Sequence, residues 1–277
     1  MLIAHSPNKL VAELDARRFR GGARRCVSLV STRGNLHEGH GSVIHAARTV
    51  SDLVVVAITP DSSHHDQPRT NVVSAPEFHD IGFVEQHDVD IVYIPDDTHL
   101  FPNGDDCLVQ LQLPRCEFSA ASLQHLGVHL KLLNTVQPDI MVWGEKNYLE
   151  YYWLRELIRD LNMRTQMQCI PTVRHASGLA VSADTQLLSL DEQAQAPILF
   201  ETLTNIVHAI RTGARNYAKL ENTARVALKG AGFDTILCKV LDETTLQAAT
   251  QDTHQFRIVG SVTLNGVRVA DNLGLAL

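Results

Sequence analysis

No C-x-x-C pair occurs in this 277-residue sequence, whose five cysteines (Cys26, Cys107, Cys116, Cys169 and Cys238) are odd in number and widely scattered. That pattern excludes a zinc knuckle and a dithiol redox motif. No apolar run approaches the ~20 residues that a membrane-spanning helix needs. The start, Met1-Leu2-Ile3-Ala4-His5, lacks a basic stretch leading into an apolar segment, so no secretory signal is expected and the sequence predicts a cytoplasmic protein. Positive charge is not in excess either, with 24 Lys and Arg against 31 Asp and Glu and a net charge of -7. Binding to nucleic acid or to an anionic membrane needs a basic face, and neither partner is expected. One basic run, Arg17, Arg18, Arg20, Arg24 and Arg25, reads as a solvated helix end and loop. Internal repeats and low-complexity tracts are absent as well.

Ordinary globular composition is what remains, 44% hydrophobic and 20% charged. Strand-like and helix-like segments alternate over roughly the first 190 residues. Cys26–Val30 is a short apolar run closed by Gly34, and a helix is predicted from about Gly41 to Val50. Leu53–Ile58 is continuously apolar and rich in β-branched residues, as in a strand buried on both faces of a parallel sheet. Further strands are predicted at Asp90–Pro95, Ile140–Trp143 and Met167–Val173, with an amphipathic helix over Tyr148–Leu161. This alternation predicts an α/β fold with a Rossmann-like, doubly wound parallel sheet. Ligands of such sheets bind at the carboxyl ends of the strands, where Gly34, His64, Gly144 and Ser182 are expected to gather. Beyond about residue 190 the pattern changes to two helices, Asp191–Arg211 and Tyr217–Lys229. Three strands follow (Thr235–Val240, Phe256–Leu264 and Val267–Ala270), with Asn265-Gly266 as a hairpin turn. The expected organisation is a nucleotide-binding domain over 1–185 and a smaller α+β lid domain over 186–277.

Three segments carry chemistry. In Ser31-Thr32-Arg33-Gly34-Asn35-Leu36-His37-Glu38-Gly39-His40, two histidines three residues apart sit on the turn between a strand and a helix. Both can face one pocket, where imidazoles and helix-start N–H groups would meet a phosphate. Gly39 would let a nucleotide pack on bare backbone. A metal reading of the histidines finds a further ligand only in Glu38 or the His64-His65 pair, and zinc-type sites need three or four converging groups. The second segment is Trp143-Gly144-Glu145-Lys146, where a strand ends in a glycine turn and a lysine offers a point charge to a polyphosphate. An ordinary surface lysine would look the same. The third is Ser177-Gly178-Leu179-Ala180-Val181-Ser182, whose last hydroxyl can cap a helix or meet a phosphate.

In this order and spacing the three segments resemble the pantothenate synthetase family. That family has a proline-threonine-methionine-glycine-x-leucine-histidine-x-glycine-histidine loop, a G-E-K-D turn and a G-L-A-x-S-S-R segment. Phe101-Pro102-Asn103-Gly104, Asn134–Asp139 and Arg268-Val269-Ala270-Asp271-Asn272 are similar to further stretches of it, so the resemblance runs the length of the chain. It implies a nucleotidyltransferase-type Rossmann-like domain with a smaller lid, a homodimer, and ATP with Mg²⁺. The implied activity is an ATP-dependent ligase that adenylates a carboxylic acid and passes the acyl group to an amine. By the same resemblance His37 and His40 hold ATP phosphates, and with Lys146 they are the catalytic candidates. Arg33, Gly34, Gly39, Gly144, Asn147, Val181 and Ser182 complete the nucleotide site, and Asp80 lines up with a magnesium-associated acid. The acid substrate falls to His64 and Glu150.

Departures from the family pattern cluster in the pocket. Ser31 and Arg33 replace the loop's proline and methionine, and Asn147 replaces the aspartate of G-E-K-D. The family's two pantoate-binding glutamines are lost, one to the Thr59–His65 stretch and one to Glu150. Asp184 stands where the family has arginine, with Arg33 or Arg174 as the compensating cation. A pocket that loses several partners at once, each worth about 1–3 kcal/mol when buried, is expected to take an altered acid. Other chemistry on the same fold, or a silent paralogue with a binding role, are the alternatives that the sequence leaves open.

Overall fold

The computed structural model describes residues 1–59, 75–102 and 126–277. His64, expected at the acid substrate, therefore lies outside the described residues. The chain divides into two compact units, the first running to Pro171 and the second over Thr172–Leu277. The break thus falls ahead of the boundary expected near residue 185.

The first unit is built on β1 (Leu2–Ala4), β2 (Val27–Thr32), β3 (Leu53–Ile58), β4 (Ile91–Tyr93), β5 (Ile140–Gly144) and β6 (Gln166–Ile170). These form one six-stranded sheet in the order β1-β4-β3-β2-β5-β6, parallel throughout. Its helices are α1 (Pro7–Arg18), α2 (Glu38–Val50), α3 (Ala75–Glu85), α4 (Asp97–Leu100), α5 (Leu126–Val136) and α6 (Tyr148–Asp160). Every residue of β3 is buried, as its unbroken apolar run requires of a central parallel strand. Alternation along the strands sends Val30, Val54, Val56, Val92 and Val142 to one face, where Val43, Ile44 and Ala47 of α2 and Val84 of α3 cover them. Leu29, Val55 and Met141 are buried on the other. A doubly wound sheet is the result.

β1 and α1 carry too little pattern to be anticipated. α1 starts because Ser6 accepts a hydrogen bond from the Lys9 N–H and Pro7 supplies a helical φ at the first position. At its other end the basic run departs from its solvated reading. Arg18 is only 8% exposed, and its guanidinium donates to the carbonyls of Val136 and Gln137, at 2.9 Å each. Arg24 pairs with Asp139 at 2.7 Å. Arg18 therefore satisfies carbonyls at the end of α5, which no later turn can reach. Arg18→Ala is expected to cost about 1.5–3 kcal/mol, the range for hydrogen bonds to a charged donor. A urea midpoint shifted by no more than that of Arg20→Ala would contradict this role.

The second unit joins α7 (Leu190–Gln195), α8 (Pro197–Arg211) and α9 (Tyr217–Gly230) to an antiparallel sheet of β7 (Asp234–Asp242), β8 (Gln255–Leu264) and β9 (Val267–Ala276), with β8 central. Sequence periodicity predicts one helix over Asp191–Arg211; the structure breaks it at Ala196, where Pro197 opens α8. Ser189 caps α7 in a reciprocal pairing with Glu192. Asn265 and Gly266 both take positive φ, 46° and 87°, as a two-residue hairpin demands. Leu199, Leu203, Ile206 and Ile210 of α8 form a core with Val240, Phe256, Ile258 and Val262 of the sheet. Among the described residues no helix is long and apolar enough to cross a membrane.

Candidate active site

β2 and β5 are neighbours, and the strand order runs outward in opposite directions from them. Their carboxyl ends thus open on a topological switch point, the place where such sheets hold ligands. The loop leaving β2 turns tightly, with Gly34 at φ 89° and Asn35 at φ 54°. It is braced from below by α3: the Asp80 carboxylate accepts the Asn35 N–H at 2.8 Å and the Leu36 N–H at 2.7 Å. Asp80 is 2% exposed. A Cβ on Gly34 would lie 2.7 Å from Asp80 Oδ2, so close approach and positive φ both require glycine there. Arg33 is exposed at this turn.

The two histidines start α2. His37 is its N-cap, and its Nδ1 accepts the Gly39 N–H at 3.1 Å. His40 Nδ1 accepts the His37 N–H at 3.3 Å, closing a capping box made of imidazoles. A ring nitrogen that accepts carries no proton, so in both rings the proton sits on Nε2. For His40 that N–H points to Thr32 Oγ1 at 3.1 Å, and the same oxygen accepts the Gly34 N–H at 3.2 Å. The ring centroids are 4.1 Å apart. Burial first, then His37 and Lys146, push the His40 pKa down to about 3. Lys146 thus lies within electrostatic reach of His40.

This shift has a sign that can be tested. An unfolded histidine titrates near 6.5, while folded His40 stays neutral down to about pH 3. Its contribution is fully present above pH 6.5. It is lost as pH falls towards 3, because the unfolded chain takes up a proton that the native site refuses. Between pH 7.5 and 5 the denaturation midpoint of His40→Gln is expected to fall less than that of the parent; an equal fall in both proteins would contradict the assignment.

Across the switch point, β5 ends at Gly144 and a single 3₁₀ turn, Glu145–Asn147, carries Lys146. The Trp143 indole donates to the Asn147 carbonyl at 3.2 Å, tying the strand end to that turn. Glu150 lies half-buried in the first turn of α6. Gly34, His37, Gly39, His40, Gly144, Lys146, Asn147 and Glu150 are thus brought to the carboxyl ends of β2 and β5 within the first unit. Among the described residues no group of three or more His, Cys, Asp and Glu is placed to hold a metal ion.

Val181 and Ser182 belong to the second unit. The Val181 N–H donates to the Val173 carbonyl at 2.9 Å. Ser182 Oγ accepts the Thr185 N–H at 3.3 Å, while the Thr185 hydroxyl donates back to the Ser182 carbonyl at 2.8 Å. The serine hydroxyl therefore stabilises its own turn. Arg174 is engaged by Asp271 through two contacts of 2.6 and 2.9 Å, and lies over the Phe200 ring at 4.2 Å. It does not compensate Asp184, which is exposed.

A family model for pantoate-beta-alanine ligase matches residues 3–274. The chain belongs to that family. It is 31% identical over 265 residues to the pantothenate synthetase of Methylococcus capsulatus, covering 91% of each chain. It is 33% identical over 262 residues to that of Vibrio parahaemolyticus, covering 90% of this chain and 85% of the relative. Among solved structures, the pantothenate synthetase of Thermus thermophilus superposes with a TM-score of 0.83 at 25% identity, covering 99% of both chains. The Francisella tularensis pantoate-beta-alanine ligase, solved in complex with beta-gamma ATP and beta-alanine, gives 0.69 at 22% identity, covering 99% of this chain and 97% of that one, a likeness of fold.

Family membership supports an ATP-dependent ligase function, and it places the motif departures in three dimensions. Ser31 is the last residue but one of β2 and is partly covered, Asn147 ends the 3₁₀ turn, and Glu150 follows in α6. Three contributors were not singled out from the sequence: Thr32, which holds His40, and Asp271, which holds Arg174, both inside motif segments, and His129, whose only mark in the sequence is a polar residue amid the apolar run of α5.

Proposed function

We propose that this protein activates a carboxylic acid with ATP at the start of α2 and transfers the acyl group to an amine. The observation that carries the reading is the imidazole-capped helix start, with Lys146 in electrostatic reach, at the switch point of a chain of this family. The triphosphate lies against the Gly34–His40 loop, where the positive end of the α2 dipole and the Nε2–H of His37 meet negative charge. The acid's carboxylate oxygen attacks the α-phosphorus and pyrophosphate leaves, giving an acyl-adenylate. The amine nitrogen then attacks the acyl carbon, loses a proton, and AMP departs with the bonding pair. What the loop and Lys146 supply is stabilisation of charge building on the phosphates, a term worth about 10²–10³ in rate per well-placed donor.

Magnesium enters this reading as a counter-ion of the nucleotide. The residues do not fit a cage of their own for it, since each oxygen of the Asp80 carboxylate accepts a loop amide. We therefore assign Asp80 to bracing the loop rather than to the metal. The acid is read by a pocket that includes Glu150. The working form is a cytoplasmic homodimer with small-molecule partners, an acid and an amine.

The test is product analysis on the purified chain with ATP, Mg²⁺, an acid and β-alanine. AMP formation is expected to require both acid and amine. Pantoate is expected to turn over well below the ~10 s⁻¹ typical of enzymes. ADP as the product would sink the adenylate reading, and pantoate turnover at that typical rate would sink the altered pocket.

A further inference from the structure

Gly41 leaves a slot in α2, one residue past His40, and a histidine from just beyond α3 lies against it. A Cβ at Gly41 would stand 2.7 Å from His87 Nε2 and 3.3 Å from Phe83 Cζ. Gly41 is buried, and its N–H donates to the His37 carbonyl at 3.1 Å, so it belongs to the same helical turn as the two loop histidines. Glycine inside a helix costs stability relative to alanine. Its place in this turn therefore needs a reason, and the close approach of the imidazole supplies one.

His87 is not free to step aside. Its N–H donates to the Val84 carbonyl at 3.1 Å and its ring to the Phe83 carbonyl at 2.8 Å, both among the carbonyls that a helix end leaves open. A carbonyl only accepts, so the ring proton sits on Nδ1 and the Nε2 edge is the one turned to Gly41. The ring also stacks on that of Phe83, with 4.3 Å between centroids and 19° between planes. α3 itself is fixed, because Val84 shares a core with Val43, Ile44 and Ala47 of α2, and Asp80 holds the Asn35 and Leu36 amides. One helix thus reaches the loop, the first turn of α2 and the body of α2.

We infer that His87 is a positioning residue of the nucleotide site: lodged against Gly41, it fixes the first turn of α2 on α3 and with it the places of His37 and His40. This rests on the nucleotide placement proposed above. His87 acts through that turn and not by touching the nucleotide. In a close-packed interior a methyl group forced into the slot moves either the ring or the turn, and the ring is held by α3.

Capping of α3 alone would also explain the bonds that His87 makes, and ATP affinity separates the two roles. Titration of the full-length protein with ATP and Mg²⁺, far from denaturing conditions, reads the site in folded protein, where a purely structural loss leaves affinity unmoved. Gly41→Ala is expected to weaken ATP binding by about fivefold or more, a coupling ordinary for residues in contact. His87→Asn keeps a donor for the Phe83 carbonyl but is too short to reach Gly41, and it is expected to weaken binding by about threefold. On that background the added methyl has room, and Gly41→Ala is expected to change affinity by less than about twofold. Parental affinity in Gly41→Ala, or an equal loss with and without His87, overturns the inference while the nucleotide placement stands. If Gly41→Ala alone does not fold, His87→Asn decides: a loss of about threefold supports the positioning role and parental affinity overturns it. A parent chain that binds no ATP overturns the nucleotide placement and this inference together.

Discussion

Replacing Asp80 by alanine is expected to lower stability by about 2–4 kcal/mol, because two backbone amides lose a charged acceptor and one charge-assisted bond is worth about 1.5–3 kcal/mol. The Leu36 amide is buried, and water cannot replace the carboxylate there without opening the loop. The same change is expected to remove measurable nucleotide binding, since Gly34 and Asn35 hold their left-handed geometry over that carboxylate. Asp80→Asn keeps one acceptor and is expected to fall between alanine and the parent. Urea denaturation and ATP titration read the two effects separately. If Asp80→Ala unfolds at the parental midpoint, or binds ATP as tightly as the parent, the bracing role is wrong.

The second large effect belongs to the imidazoles. His37→Ala with His40→Ala is expected to weaken nucleotide binding more than tenfold, a loss of about 1.4 kcal/mol or more. Part of any loss comes from the helix start, because both rings also cap α2 and an N-cap is worth about 1 kcal/mol. His37→Asn with His40→Gln separates the two contributions. Asparagine caps well and glutamine can return the N3 hydrogen bond, so the helix start is kept while the imidazoles are lost. Affinity that recovers fully in this pair assigns the histidines to capping alone. Affinity that stays low assigns them to the phosphates.

How far the chain could be read in advance depended on the range of the forces involved. β3 was legible because a strand buried on both faces must be apolar throughout, and the Asn265-Gly266 turn because its backbone admits few residues. The His37–His40 segment was legible as a strand-to-helix turn. That His40 directs its Nε2–H to Thr32 was not, since it follows from the tautomer fixed by the His37 amide. Arg18 looked like surface because its acceptors lie 118 and 119 residues away, at the end of another helix. Asp80 likewise acts on amides 45 and 44 residues before it. The split between α7 and α8 was hidden because proline at a first helical position leaves the apolar periodicity intact. The second unit holds Ser182, for which residue type alone left capping and phosphate contact equally open, and its bond to the Thr185 N–H is of the capping kind.

An acyl-adenylate formed at the start of α2 is the step on which the proposed function stands. Exchange of labelled pyrophosphate into ATP, measured on the full-length protein with Mg²⁺ and a panel of carboxylic acids but no amine, tests it most directly. Exchange is expected to require the acid, to proceed without the amine, and to drop by about 10²-fold or more in His37→Ala with His40→Ala. Exchange that needs no acid, or that survives the double replacement undiminished, would contradict it.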